Sequence, residues 1–92
     1  MTIIAERALV LETKKGERVQ IKVKLGNPSW IVTGEEAVCL FAIDGMFRDV
    51  HEVHGVDPFQ ALQLAIQTVN ILLMNSRKGT VCWPDGTPYE PV

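Results

Sequence analysis

The chain has 92 residues, of which 47% are hydrophobic and 22% charged, with a formal net charge of −2. A chain of this length makes one domain, 1–92, with enough apolar content for a core that needs no metal or disulfide staple. The charge argues against a nucleic-acid partner held by bulk attraction. No apolar run reaches the ~18 residues that a bilayer crossing needs, so a membrane is not an expected partner either. Glu6 and Arg7 interrupt the apolar opening, which lacks the basic leader of a signal peptide. The cytoplasm is therefore the expected location, with Cys39 and Cys82 as buried free thiols.

Residues 2–12 and 18–25 read as the first two strands. In the second, Val19, Ile21, Val23 and Leu25 alternate with Arg18, Gln20, Lys22 and Lys24, the pattern of a half-buried strand. Lys14-Lys15-Gly16 between them fits a three-residue loop with Gly16 left-handed. That loop sets Leu11 opposite Val19, Leu9 opposite Ile21 and Ala5 opposite Leu25. On the other face it sets Glu12 opposite Arg18 and Glu6 opposite Lys24. Cross-strand pairs of opposite charge stabilise and like charges do the reverse, so one register satisfies both faces.

Asn27-Pro28-Ser29-Trp30 and Thr33-Gly34-Glu35 mark turns, with an irregular loop carrying an exposed Trp30 between them. A third strand follows over 36–43. Ala37, Cys39, Phe41 and Ile43 face one way, and Val38, Leu40 and Ala42 the other. Apolarity on both faces implies cover on both sides. Asp44-Gly45 is a hairpin signal, and residues 46–53 form a fourth, less regular strand.

A helix is predicted over about 57–77. Asp57 can accept from the orphan amides of the first turn, and Pro58 takes the first helical position. Gln60 can reach back to complete a capping box. Arg77, Lys78 and Gly79 supply cations and a stop at the far end. Phe59, Leu62, Ile66, Val69 and Leu73 form one stripe, and Ala61, Ala65, Thr68 and Leu72 a neighbouring one of smaller residues. Together they predict a wide apolar face toward the sheet. Gln60, Gln63, Gln67, Asn70 and Met74 occupy the remaining face, and no formal charge lies between Asp57 and Arg77. Charged residues are depleted from interface cores. This amide edge, with Trp30 as an anchor, is therefore the candidate partner-binding surface. A short fifth strand over 80–83 ends at Pro84-Asp85-Gly86, and the tail 87–92 reads as extended or frayed. Trp83 and Tyr89 are further aromatic anchors, Trp83 better suited to packing at the core or an edge. The fold class expected is α+β, an antiparallel sheet of four to five strands with one long helix on one face.

His51-Glu52-Val53-His54 is the one metal-like grouping. Its spacing of three is not the four-residue helical spacing of a zinc protease, and on a strand it turns the two rings to opposite faces. Asp44, Asp49, Glu52 and Asp57 read as a solvated acidic region. No serine sits in a nucleophile elbow and no glycine pattern cradles phosphate. These residues assign no catalytic group, metal or cofactor, and the expectation is a non-enzymatic chain.

Gly55-Val56-Asp57-Pro58-Phe59-Gln60-Ala61-Leu62-Gln63-Leu64-Ala65 resembles the helix of an uncharacterised family of small bacterial proteins, a domain of unknown function. Ile4-Ala5-Glu6-Arg7 and the turn Trp83-Pro84-Asp85-Gly86 resemble that family's opening strand and final turn. The resemblance implies a stand-alone bacterial cytoplasmic domain and transfers no functional residue. The functional expectation is a protein–protein interaction domain, with self-association through Gln60, Gln63, Gln67 and Asn70 as one form. The alternatives are an immunity or antitoxin protein that binds a cognate toxin, and a metal binder or enzyme using His51 and His54.

Overall fold

β1 (Ile3–Thr13) and β2 (Arg18–Gly26) pair as their alternation dictates. The computed structural model describes residues 1–90. It sets Leu11 opposite Val19, Leu9 opposite Ile21, Glu12 opposite Arg18 and Glu6 opposite Lys24. Gly16 takes a φ of 85° at the loop, a backbone region open to glycine at no steric cost. The salt bridges lie beside this register rather than across it. Glu6 pairs diagonally with Lys22 at 3.7 Å, and Lys24 turns to Asp44 on the next strand at 2.6 Å.

β3 (Ser29–Val32), β4 (Glu36–Asp44) and β5 (His51–Gly55) extend the sheet. Phe41 pairs with both Leu25 and His51, and Ala37 with both Trp30 and Gly55. β5 therefore lies along one edge of β4, and β3 continues the line of β2 along the other. On the far side of the hairpin, β6 (Gly79–Cys82) pairs with β1 only from Val10 to Thr13. The sheet is a curled antiparallel one of five to six strands, with α1 (Pro58–Met74) across one face, so the fold is α+β.

The core lies between α1 and the face that carries Leu9, Ile21, Ala37, Cys39, Phe41 and Ile43, all buried. Two free thiols sit inside the molecule, Cys39 and Cys82. Burial raises both thiol pKa values, and at Cys82 the nearby Glu12 carboxylate adds to the effect.

Several boundaries differ from the sequence reading. The irregular loop around Trp30 is the strand β3, because residues 29–32 find β4 backbone to pair with. The link from β4 to β5 is a loop rather than a tight hairpin. After Gly45, with a φ of 90°, Met46 and Phe47 donate backbone hydrogen bonds to the Ile43 carbonyl. Met46 turns into the core and is 4% exposed, which delays strand pairing until His51. The helix stops at Met74 instead of Arg77. The Asn75 backbone and side-chain amides both donate to the Ile71 carbonyl, and these bonds satisfy the helix end before the cations arrive.

The docked face of α1 is the second correction. Ala61, Ala65, Val69 and Leu73 are buried, whereas Phe59 is 71% exposed and Ile66 44%. Seven of the nine predicted positions are buried or half-buried, Val69 and Leu73 among them, and only Phe59 and Ile66 of the large-residue stripe turn outward. The cause is close approach: a Cβ on Gly55 would lie 2.6 Å from the Ala61 backbone nitrogen. A helix held that near β5 can bring only an alanine-sized side chain into the seam at Ala61, while Val69 and Leu73 fill it farther along.

The tail is ordered through Tyr89. Gly86 donates to the Trp83 carbonyl and Trp83 to the Thr87 carbonyl. The Asp85 carboxylate accepts from the Thr87 amide and hydroxyl, which lowers its pKa. The chain then folds back, Pro88 bridges to Cys82, and Tyr89 donates to the Val81 carbonyl. The last two residues of the tail, 91 and 92, lie outside the described residues.

Candidate functional site

The four amides predicted to line the helix edge divide into two pairs. Gln60 is a capping residue: its amide N–H donates to the Asp57 carboxylate at 2.7 Å, and its side-chain oxygen accepts from the Val56 N–H at 2.8 Å. Asn70 is engaged inside the chain, where its side-chain oxygen accepts from the Tyr89 hydroxyl at 2.9 Å. Gln63 and Gln67 remain exposed. Their neighbours on that face are Phe59, Ile71 and Met74, exposed by 71%, 60% and 60%. The outer face of α1 is thus uncharged, and more apolar than its amides alone suggested.

Trp30 is not on this surface. It stands on β3 opposite Ala37 and is exposed with Ile31 and Val32, whereas α1 packs chiefly over β4 and β5. The doubly apolar β4 is covered on its outer face in part by the chain itself. Ala42 is buried, and Val38 and Leu40 are half-buried beside Met1, Thr2 and Gly26.

The histidines part as strand geometry requires. The His51 ring stacks on Phe41 at a centroid distance of 4.7 Å and meets Phe47 edge-on at 5.4 Å. Its Nδ1 is buried and has no hydrogen-bond partner among the described residues. His54 lies in the open, with Nδ1 3.0 Å from a Glu36 carboxylate oxygen and Nε2 3.5 Å from one of Glu52. Asp57 is taken up by the helix cap. Among the described residues, no three His, Cys, Asp or Glu side chains converge in a way that could hold a metal ion.

A second feature escaped the sequence reading. Between α1 and the β1–β2 hairpin runs a groove of about 230 Å³, lined by Ala5, Glu6, Arg7, Val23, Leu25, Ile66, Val69, Asn70 and Tyr89. At its floor Arg7 Nη1 donates to the Tyr89 hydroxyl at 2.9 Å, and that hydroxyl donates to Asn70. The Arg7 guanidinium carbon lies 5.2 Å from the Trp83 ring centroid and 5.8 Å from that of Tyr89. Two aromatic faces therefore hold it by cation–π attraction. Tyr89, expected as a partner anchor, is instead buried as a support of this arginine, and Trp83 packs half-buried beside it, in the role its sequence context favoured. Nothing local marks the relay, since its ends are 82 positions apart.

A single helix on a curled antiparallel sheet, with no helix long and apolar enough to cross a membrane among the described residues, defines a small α+β domain. The chain belongs to the family described as "Domain of unknown function (DUF6968)", whose model matches residues 5–89. That span takes in both Arg7 and Tyr89. No curated protein and no solved structure matches the chain.

Proposed function

We propose that this chain is a non-enzymatic protein-binding domain of the cytoplasm, and that the outer face of α1 pairs with the same face of a second copy. The observation that carries the reading is the composition of that face. Phe59, Ile71 and Met74 stand outward around Gln63 and Gln67, with no charge anywhere along the 17-residue helix. A solvated helix face usually carries charged residues, while the centre of an interface is depleted of them. Glutamine both donates and accepts. Two identical faces related by a two-fold axis can therefore satisfy each other's amides while covering the apolar side chains. The location is supported by two free buried thiols, which a reducing compartment maintains.

The test is size-exclusion chromatography with light scattering over a range of concentrations. The wild type should approach twice the 10.2 kDa chain mass. Gln63→Glu with Gln67→Glu should return it to the monomer with its circular dichroism unchanged. A wild type that stays monomeric at every concentration, with no response to the double substitution, overturns the self-pairing.

A further inference from the structure

β1 is half-paired. β6 covers its outer edge only from Val10 to Thr13, and residues Ile3–Ala8 are exposed throughout. Among the described residues, no strand pairs with that stretch on the side away from β2. An open strand edge is a template for another strand. The groove described above opens along the same edge, and strand addition there would roof it.

Arg7 gives the site its chemical preference. It shares the groove face of β1 with Ala5 and points into a mostly apolar space. It is held by Trp83 and Tyr89 and forms no salt bridge among the described residues. Its one described hydrogen bond goes to a neutral hydroxyl, so donors of the guanidinium fork are left for a carboxylate. Ala5, two residues away on the same face, is small and leaves room above Leu25 and Ile66. We infer that the Ile3–Ala8 edge of β1 binds an extended peptide by antiparallel strand addition. The peptide places an acidic residue opposite Arg7 and, two residues later, a large apolar residue opposite Ala5. Main-chain bonds then supply affinity and the two side chains supply selection. A second copy does not fit this edge. By strand alternation Ala5 and Leu9 share the face of Arg7, while Glu6, which also borders the groove, alternates to the other face and pairs with Lys22, so β1 against β1 would leave Arg7 unpaired. The site is distinct from the outer helix face and does not depend on self-pairing.

The experiment titrates ¹⁵N-labelled protein with acetyl-Lys-Thr-Glu-Thr-Leu-Thr-Lys-amide, with the same peptide carrying Gln for Glu, and with a peptide carrying Ala for Leu. The expected result is amide shift changes along Ile3–Ala8 and the groove. Removing the carboxylate should weaken binding about tenfold, as for loss of a charge-assisted contact. In Arg7→Gln the Glu and Gln peptides should bind alike. The peptide pair on unaltered protein keeps the test valid if that variant is unstable. Equal affinity of the two peptides for the wild type overturns the inference. So does perturbation confined to another edge such as β3, or no shift at millimolar peptide.

Discussion

Gly55→Ala tests the seam between helix and sheet, because two physical effects of opposite sign meet there. Gly55 does not adopt a positive φ, so alanine fits its backbone conformation. Replacing glycine at such a site stabilises by about 0.4–1 kcal/mol through the unfolded chain. Against this, the new Cβ would lie 2.6 Å from the Ala61 nitrogen, 3.0 Å from its Cα and 3.1 Å from the Gln60 carbonyl carbon. All three are backbone atoms, so no rotamer change relieves the overlap and the first turns of α1 must lift from β5. Overpacking of this kind costs about 1–3 kcal/mol, and the net expectation is a loss of about 1–2 kcal/mol. For a domain of this size each kcal/mol lowers Tm by roughly 4–8 °C. Urea unfolding followed by far-ultraviolet circular dichroism, with a thermal melt alongside, reads both quantities. Adding Ala61→Gly should not restore stability, because the overlap is with backbone rather than with the Ala61 methyl. A Gly55→Ala protein as stable as the wild type, or more so, would refute close approach as the reason Ala61 faces the sheet and Phe59 does not.

Three further outcomes follow from particular contacts. Tyr89→Phe removes the hydroxyl between Arg7 and Asn70 and should cost about 1–2 kcal/mol in urea unfolding, two partly solvated hydrogen bonds at about 0.5–1.5 kcal/mol each. An Asn70→Ala background should reduce that cost, since part of it is the stranded amide. Phe59→Ala, measured where the chain is monomeric, should change stability by less than about 0.5 kcal/mol, as at a surface site; a loss near the 3–5 kcal/mol of a buried aromatic would return Phe59 to the core. Hydrogen bonding to Asp44, reinforced by its charge, raises the Lys24 pKa. A raised folded pKa contributes stability that is fully present below the ordinary lysine value and lost as pH rises through the folded one. The alkaline loss of stability should therefore be shallower in Lys24→Gln, read as urea midpoints in that window.

The parts of the fold legible in the sequence were those fixed by several local constraints at once. The β1–β2 register answers to an alternating apolar face, paired opposite charges and a loop of defined length, and all three name the same pairing. The helix start is similar, since Asp57, Pro58 and Gln60 each act within one turn. The docked face of α1 was legible in its breadth but not at Phe59 and Ile66, because residues 58–74 offer apolar side chains around most of the helix. The close approach that seats Ala61 rather than Phe59 against the sheet is set by Gly55, on another element. Asn75 could not be ranked above Gly79 as the stop without knowing that Gly79 opens β6. The Asp44-Gly45 signal is a real turn, but burial of Met46 sets the length of the link. The candidate site fared less well. Gln63 and Gln67 stand where periodicity puts them, while Gln60 and Asn70 are recruited by the cap and by Tyr89.

The two surfaces rest on different physics and respond to different changes. Two of the four predicted amides, Gln63 and Gln67, stand on the outer helix face, and on the sheet Met1 and Thr2 lie beside the half-buried Val38 and Leu40. Phe59, Ile71 and Met74 turn outward on the helix face, and exposed apolar area without charge is what association removes from water. That contact is short, so self-pairing should depend on concentration and be broken by a buried carboxylate at Gln63 or Gln67. The β1 edge instead relies on open backbone and one preorganised cation, and should be nearly indifferent to those changes. Gln63→Glu with Gln67→Glu should leave the Glu-selective peptide shifts in place, and Arg7→Gln should leave the oligomeric mass in place. Loss of both properties from either change would mean that the helix and β1 form one continuous surface, with Ile66 at its centre.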